Sequence, residues 1–483
     1  MKILMICAEY APLAKAGGLG DMVAALAGVL AARGHEVKVV LPLYGDIDRE
    51  RHALAPCAGL PPFAVRRGGA VRRCRFWRAP AAGGPDVLLL ENDDQFGRPG
   101  IYGYADVDEF ADTLPRLALL AQGALEAAVL LDWAPDVVHV HDAAAALATV
   151  DLACWSRAGT PLAATRTLLT IHNLAHQSLH PRWEFTALDL PARLAWHPGE
   201  MEFHGGLNLM KAGILMSDLV NTVSPTYARE VIADEETGCG LAGVLRDRGA
   251  DFSGILNGMD REAWDPATDR CLPATYSAGS PAGKTVCRTA LLRELGLQDG
   301  GPVLASVGRL ARQKGIDLLL PLVDGLVSEG WRLAVLGTGE PALEQALHAA
   351  AAAHPGRVAF AARFDEALSH RFYAGADAFV MPSRFEPCGL AQLYALRYGT
   401  PPVVRRTGGL ADTVTDAAGP GDVGFVFDEA TPAALGAALA RAIEAWREPG
   451  RWSSLVRRGM AADFGWDAPA AAYEDLYRSL EGT

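Results

Sequence analysis

Several segments of this 483-residue chain carry side chains whose types and spacing could do chemistry. The first is a glycine-rich loop, Lys15-Ala-Gly17-Gly18-Leu-Gly20-Asp21, between an apolar run and a helical pattern. Glycines let backbone approach a ligand closely, and free N–H groups at a helix start attract an anion. Lys15 adds a cation beside them. The loop has no G-x-G-x-x-G, no acid ends the second apolar run to grip a ribose, and G-K-[ST] is missing. A tight structural turn would use the same glycines. The second segment is Gly308-Arg309-Leu-Ala-Arg312-Gln-Lys314-Gly315. Cations converging at a strand end suit a diphosphate leaving group, which needs neutralising as its bond breaks; a solvated basic patch would read alike. The third, Pro382-Ser-Arg384-Phe-Glu386-Pro-Cys388-Gly389-Leu390, centres one carboxylate in a strand-to-helix loop. Glu386 there suits acid–base work or sugar hydroxyls, and equally an exposed acid. Thr407-Gly408-Gly409 is a further glycine turn into a helix. Finally, His139 and His141-Asp142 end one apolar run and His172-Asn173 another. Strand C-termini are where open α/β sheets bind ligands; a buried, satisfied histidine is the alternative.

Other patterns carry less. Asp46-x-Asp48 and Asp106-x-Asp108 have the Asp-x-Asp form of some metal-dependent transferases, but neither follows a convincing apolar strand. His197, Glu200 and His204 lack the i, i+4 histidine spacing of a helical zinc site, and Gly-x-Ser-x-Gly is absent.

The elements that must position these residues follow a repeating grammar. An apolar run from Ile3 to Cys7, the glycine loop, a helix from Met22 to Arg33 and a second run from Val37 to Leu41 form a βαβ unit. Such a unit implies parallel strands with right-handed crossovers. Val87–Leu90, Val137–His141 and Leu168–Ile171 are further strands. The grammar restarts at Val303–Val307, continuing through a helix around Asp317–Ser328, a strand Leu333–Leu336, a strand Ala378–Met381, a helix from Leu390 to Tyr398 and a strand Val403–Arg405. Two series predict two doubly wound domains: 1–253, 254–460, and a terminal segment 461–483 with an amphipathic helix over Ala468–Leu480.

Composition bounds the rest. With 50% hydrophobic and 21% charged residues the chain reads as globular, at roughly 100–200 residues per domain. A net charge of -13 argues against nucleic acid or an anionic membrane as the main partner. No run reaches the ~18 uninterrupted apolar residues of a spanning helix. Eight scattered cysteines without Cys-x-x-Cys imply reduced thiols and a cytoplasmic setting.

Taken together, these motifs resemble those of bacterial glycogen synthases and plant starch synthases. The resemblance lies in Lys15-x-Gly-Gly-Leu-Gly-Asp21, Glu202-Phe-His-Gly205 with Lys211-Ala-Gly213, Thr222-Val-Ser-Pro-Thr-Tyr227 and Ile255-Leu-Asn257-Gly258. It continues in Gly308-Arg-Leu-x-x-Gln-Lys314-Gly315, Ser383-Arg-Phe-Glu-Pro-Cys-Gly-Leu390 and Arg405-Arg-Thr-Gly-Gly-Leu410, in the family's order along nearly the whole chain. It implies a GT-B fold, two Rossmann-like domains facing each other across a cleft, with the C-terminal helix returning to the first. The activity it implies is transfer of glucose from ADP-glucose to the non-reducing 4-hydroxyl of an α-1,4-glucan (glycogen or a maltooligosaccharide), with retention and with no metal or other cofactor.

The residue roles carry over in the same way. Lys15, Gly17, Gly18 and Asp21 approach the donor from the first domain. Arg309 and Lys314 neutralise the diphosphate, helped by backbone N–H groups at Cys388, Gly389 and Leu390. Glu386 sits by the donor glucose, and His172, with Asp142 and Asn173, lies on the sugar side. Asn257, Thr407 and Phe364 bind the donor, Asn257 and Phe364 at its nucleotide. Two departures stand out: the family continues His-Asp with Trp-His where this chain has Ala143-Ala144, and it carries Tyr at the position of Phe364. The first leaves a UDP-glucose or short-acceptor transferase, or a weakly active glucan-binding homologue, as alternatives.

Overall fold

The computed structural model describes residues 1–81, 83–103, 109–155, 157–417 and 421–481. Asp106 and Asp108 lie outside the described residues. The chain divides into two compact units: Met1–Val223 with Ala228–Ile255 and Trp466–Thr483, and Ser224–Tyr227 with Leu256–Gly465.

Unit 1 is built on seven parallel strands: Lys2–Ile6 (β1), Glu36–Pro42 (β2), Asp86–Glu91 (β3), Val137–His141 (β4), Arg166–Ile171 (β5), Leu219–Thr222 (β6) and Phe252–Gly254 (β7). Their spatial order is β7-β6-β5-β4-β1-β2-β3, extended past β3 by antiparallel Ala70–Arg78 and Ala55–Pro56. Continuous apolar runs such as Ile3–Ile6 are what a sheet covered on both faces requires. The strand order reverses between β1 and β4, and at such a switch point the two outgoing loops diverge and leave a crevice. Helix α1, Gly18–Ala32, begins four residues before the expected Met22, so Gly18 and Asp21 lie in its first turn. The antiparallel extension carries an alternation, with Cys74 and Phe76 buried and Arg73 and Arg75 exposed.

Helix α2, Thr113–Leu130, is long and apolar enough to cross a membrane. It carries Arg116 and Glu126, is mostly buried, and packs on helix α3, Asp142–Cys154, as a core helix. The last helix, α4, Asp467–Ser479, packs on α1. Glu474 accepts two hydrogen bonds from the Arg33 guanidinium (2.8 and 2.9 Å) and meets His35 Nε2 at 3.0 Å. Those bonds from Arg33 and His35 pull the Glu474 carboxyl from 4.5 down to about 2. A carboxylate whose folded pKa is depressed stabilises the fold above its unfolded pKa and loses that contribution as pH falls through the folded value. Glu474→Gln should therefore lower the melting temperature near neutral pH by about 2–4 °C, the shift expected for ~1 kcal/mol in a unit of this size. The gap to the parent protein, followed by thermal melts against pH, should close between about pH 4.5 and pH 2.

Unit 2 has six parallel strands: Val303–Val307 (β8), Arg332–Leu336 (β9), Val358–Ala361 (β10), Ala378–Met381 (β11), Pro402–Arg405 (β12) and Phe425–Phe427 (β13). The order β10-β9-β8-β11-β12-β13 is the Rossmann order, with its switch point between β8 and β11. The single helix expected over Asp317–Ser328 is broken instead. Ile316–Leu319 and Val323–Glu329 flank a tight turn at Leu320–Leu322, because Pro321 has no N–H to continue the ladder.

Candidate functional site

In unit 2 the loops leaving β8 and β11 are tied into one structure at the switch point. Gly315 has φ +70°, and a Cβ on it would lie 2.0 Å from the Pro382 carbonyl oxygen. Only glycine lets the basic turn lie against the end of β11. Arg384 N–H donates to the Gln313 carbonyl (2.8 Å), and the Arg384 guanidinium makes a two-pronged pair with Asp317 (2.7 and 2.7 Å). So held, Lys314 Nζ reaches Glu386 Oε2 at 2.7 Å, and Ser383 Oγ donates to the same oxygen at 3.0 Å. Glu386 is buried, so it is not the ordinary exposed loop acid that its sequence position allowed.

The glycine turn after β12 closes on the same loop. Thr407 precedes the short helix Gly408–Thr413, and Gly409 N–H donates to the Glu386 carbonyl at 3.1 Å. Gly408 has φ +44°, and a Cβ there would come within 1.9 Å of that carbonyl oxygen. Gly408→Ala must therefore displace the Glu386 backbone. We expect at least a tenfold loss of transfer with a melting temperature lowered by a few degrees, readable by paired activity and melting measurements. Gln392 Nε2 donates to the carbonyls of Cys388 (3.1 Å) and Gly389 (2.9 Å), fixing the peptides before helix Ala391–Arg397.

Cys388 is buried, and burial pushes its thiol up to about 12, so it stays protonated near neutrality. The Asn257 N–H bonds to it, which sets Asn257 beside the Cys388–Leu390 peptides. Asn257 Oδ1 is itself buried with no hydrogen-bond partner among the described residues, an acceptor available to a ligand donor. Arg309 is exposed; among the described residues its hydrogen bond is to Gln313 Oε1, at 3.4 Å. Phe364 stands apart from these contacts. It is 83% exposed, one residue before Asp365, which caps helix Glu366–Gly375. Its ring is open to solvent, as are those of Trp183 and Trp196.

Unit 1 gathers its own group at the β1/β4 switch point. Glu9, at the end of β1, accepts from the N–H groups of Ala16 and Gly17 (both 2.8 Å) with one oxygen and from the Tyr102 hydroxyl (2.7 Å) with the other. That bond pattern shapes the glycine loop, with Gly17 and Gly18 exposed and Lys15 paired to Asp21 at 2.9 Å. Across the switch point Asp142 has φ +57° and its Oδ1 accepts from His172 N–H at 2.7 Å, with Asn173 N–H at 3.4 Å. Burial pushes the Asp142 carboxyl up to about 7, against the pull of these two donors. His172 Nε2 lies 3.1 Å from His141 Nδ1, and burial lowers His172 to about 3. Ala143 and Ala144, where an aromatic and an imidazole were expected, are buried in the first turn of α3.

Other motif residues have structural work. Lys211 Nζ donates to the carbonyls of Gly199 (3.2 Å) and Glu202 (2.5 Å). Ser224 Oγ and Thr226 Oγ1 both donate to Asp412, each at 2.6 Å. Sequence reasoning missed Glu9 and Tyr102; the signal for Glu9 was an acid ending the first strand. Among the described residues, Asp269, Cys271 and His370 bring potential metal ligands within 4.8 Å of one another. Asp269 Oδ2 is already bonded to His370 Nδ1 (2.7 Å) and to the Tyr398 hydroxyl (2.5 Å), an arrangement complete without an ion.

Known proteins match this arrangement over its whole length. Residues 2–247 match the family model for the starch synthase catalytic domain, and residues 288–458 that for glycosyl transferases group 1. A glycogen synthase of Anaeromyxobacter sp. (strain Fw109-5) is 47% identical, covering 99% of both chains. One of Geotalea daltonii is 41% identical over 99% of this chain and 98% of its own. The catalytic domain of starch synthase IV from Arabidopsis thaliana, solved bound to ADP and acarbose, superposes with a TM-score of 0.92 at 32% identity, covering 100% of this chain and 99% of that one. Two Rossmann-like units, the loops at their switch points and these matches lead to one assignment: the chain belongs to the glycogen synthase and starch synthase family, glycosyltransferases of the GT-B fold.

Proposed function

We propose that this chain transfers glucose from ADP-glucose to the non-reducing 4-hydroxyl of an α-1,4-glucan, with retention at the anomeric carbon and without a metal. The observation that carries the reading is the buried Glu386 carboxylate, held by Lys314 and Ser383 beside the peptides that precede helix Ala391–Arg397. A carboxylate and an ammonium in contact can serve the two charges that separate when a glycosyl diphosphate breaks. Glu386 stabilises the oxocarbenium-like carbon, and Lys314 with Arg309 takes the charge growing on the diphosphate. Backbone N–H groups at Cys388, Gly389 and Leu390 add to the diphosphate site. Retention follows a front-face course: the bond from C1 to diphosphate oxygen breaks, the bond to the acceptor O4 forms on the same face, and the hydroxyl proton passes to the departing diphosphate.

Asn257, Thr407 and the exposed Phe364 face form the nucleotide side, where a Phe ring can stack on a base but offers no hydroxyl. Unit 1 contributes Lys15, Gly17, Gly18 and Asp21 to donor binding, and His172, Asp142 and Asn173 to the sugar. The ADP bound by the Arabidopsis relative supports an adenine nucleotide as leaving group. Eight free thiols support a reducing, cytoplasmic setting.

Ala143 and Ala144 favour a second reading, a transferase for a shorter acceptor or for UDP-glucose, since two large polar or aromatic contacts are gone. Radiolabelled ADP-glucose and UDP-glucose, each offered with glycogen and with maltooligosaccharides, separate the two. Labelled glycogen from ADP-glucose supports the first reading. Label from UDP-glucose alone, or only on short chains, supports the second, and glucan binding without transfer contradicts both.

A further inference from the structure

Three imidazoles lie in a row at the C-terminal ends of β4 and β5. His139 and His141 are fully buried with ring centroids 4.2 Å apart, and the His141 ring lies 5.3 Å from that of His172. The far end of the row settles where its protons sit. Asn221 gives its amide N–H to Tyr473 (3.1 Å), so its Oδ1 is the acceptor to which the Thr170 hydroxyl donates at 2.6 Å. Thr170 Oγ1 is then left to accept from His139, whose Nε2 is 2.6 Å away. His139 thus carries its proton on Nε2, and its Nδ1 accepts from the Tyr477 hydroxyl at 2.9 Å.

The same accounting reaches His141. Its Nδ1 is 3.1 Å from His172 Nε2, while its own Nε2 is buried without a hydrogen-bond partner among the described residues. A proton on that Nε2 would be a buried N–H with no acceptor, which costs more than an unused imidazole lone pair. The proton therefore belongs on Nδ1, donated to His172 Nε2. His172 must accept there and keep its own proton on Nδ1. Desolvation holds all three rings neutral, with His139 and His172 lowered to about 3.

We propose that His141 is a positioning residue that fixes His172 in the Nδ1–H tautomer, so that His172 meets the transferred sugar as a neutral hydrogen-bond donor. A neutral N–H can hold a sugar oxygen without setting positive charge beside an oxocarbenium-like carbon, which an imidazolium would destabilise. The sugar-side role rests on the function proposed above; the tautomer does not.

Long-range proton–nitrogen spectra of the full-length protein, labelled with nitrogen-15 histidine, read the tautomer directly, His172 being assigned by the signal lost in His172→Gln. The expected spectrum shows His172 protonated on Nδ1 and bare on Nε2. Kinetics read the role. His141→Leu should lower kcat about tenfold to a hundredfold while the KM for ADP-glucose changes less than about threefold. His141→Asn, whose amide N–H stands in for Nδ1–H, should restore most of the loss and keep the His172 signal. A wild-type His172 protonated on Nε2 overturns the tautomer whatever the activity, even if neither variant folds. A Leu variant with wild-type kcat, or an Asn variant as slow as Leu while equally well folded, overturns the positioning role. If the wild type moves glucose from no nucleotide sugar, the proposed function fails and the spectra still decide the tautomer.

Discussion

Glu386→Ala should lower kcat for glucosyl transfer by about a thousandfold while leaving ADP affinity within several-fold of the parent protein. The expectation follows from where the carboxylate sits. Its Oε2 is engaged by Lys314 and Ser383, which sets the carboxylate plane and leaves Oε1 as the oxygen that can face a sugar. Removing the group abolishes the negative charge that Lys314 and Ser383 hold in this loop, so the effect should fall on the charge-separating step and not on nucleotide binding. Glu386→Gln sharpens the test. The amide keeps the size and can still accept from Lys314, but it lacks the charge, so it should resemble the Ala variant in kcat if charge stabilisation is the role. Steady-state kinetics with calorimetric ADP binding checks both. A Gln variant near wild-type kcat would assign Glu386 to hydroxyl positioning alone.

Lys314→Ala has the second largest expected effect, about a hundredfold to a thousandfold in kcat, the scale set by deleting one preorganised donor to a developing charge. It should also weaken ADP binding, unlike the change at Glu386, because in the proposed reaction Lys314 serves the ground-state diphosphate as well. Part of the loss is indirect: the substitution leaves a buried carboxylate without its ammonium partner. Lys314→Arg keeps the charge but replaces a compact ammonium with a planar fork on a turn pinned by Gly315, so only partial recovery is expected. The double variant Lys314→Ala/Glu386→Gln separates the contributions. If Lys314 acts only by holding Glu386, the second change should add nothing to the first.

Much of this was legible in the chain because local signals and fold agreed. Apolar runs such as Val303–Val307 and Ala378–Met381, each followed by a glycine or proline loop, are what buried parallel strands with short loops look like. The Lys314 and Glu386 motifs were visible as types and spacing; that they touch was not, because their contact depends on Gly315 letting two loops 72 residues apart lie together. The early start of α1 escaped notice because glycine reads as loop, yet at a helix N-terminus a glycine costs little and leaves N–H groups free. Glu9 was hidden for a related reason: its bonds to Ala16 and Gly17 exist only once the chain has turned back on itself. The histidine row was the least legible. His139 and Tyr477 are 338 residues apart, and nothing in a strand ending His-x-His says which residue supplies the partner for each ring nitrogen. Lys211 belongs to a family motif, and its ammonium holds two backbone carbonyls.

The measurement that bears most directly on the central claim is the linkage formed by the wild-type protein from ADP-glucose carrying a carbon-13 label at C1, with glycogen as acceptor, read by nuclear magnetic resonance. The account predicts label in α-1,4-linked glucose at chain ends, released in full by an exo-acting α-1,4-glucosidase. Label in a β-linkage, label only as free glucose, or no label while UDP-glucose gives full incorporation would contradict it.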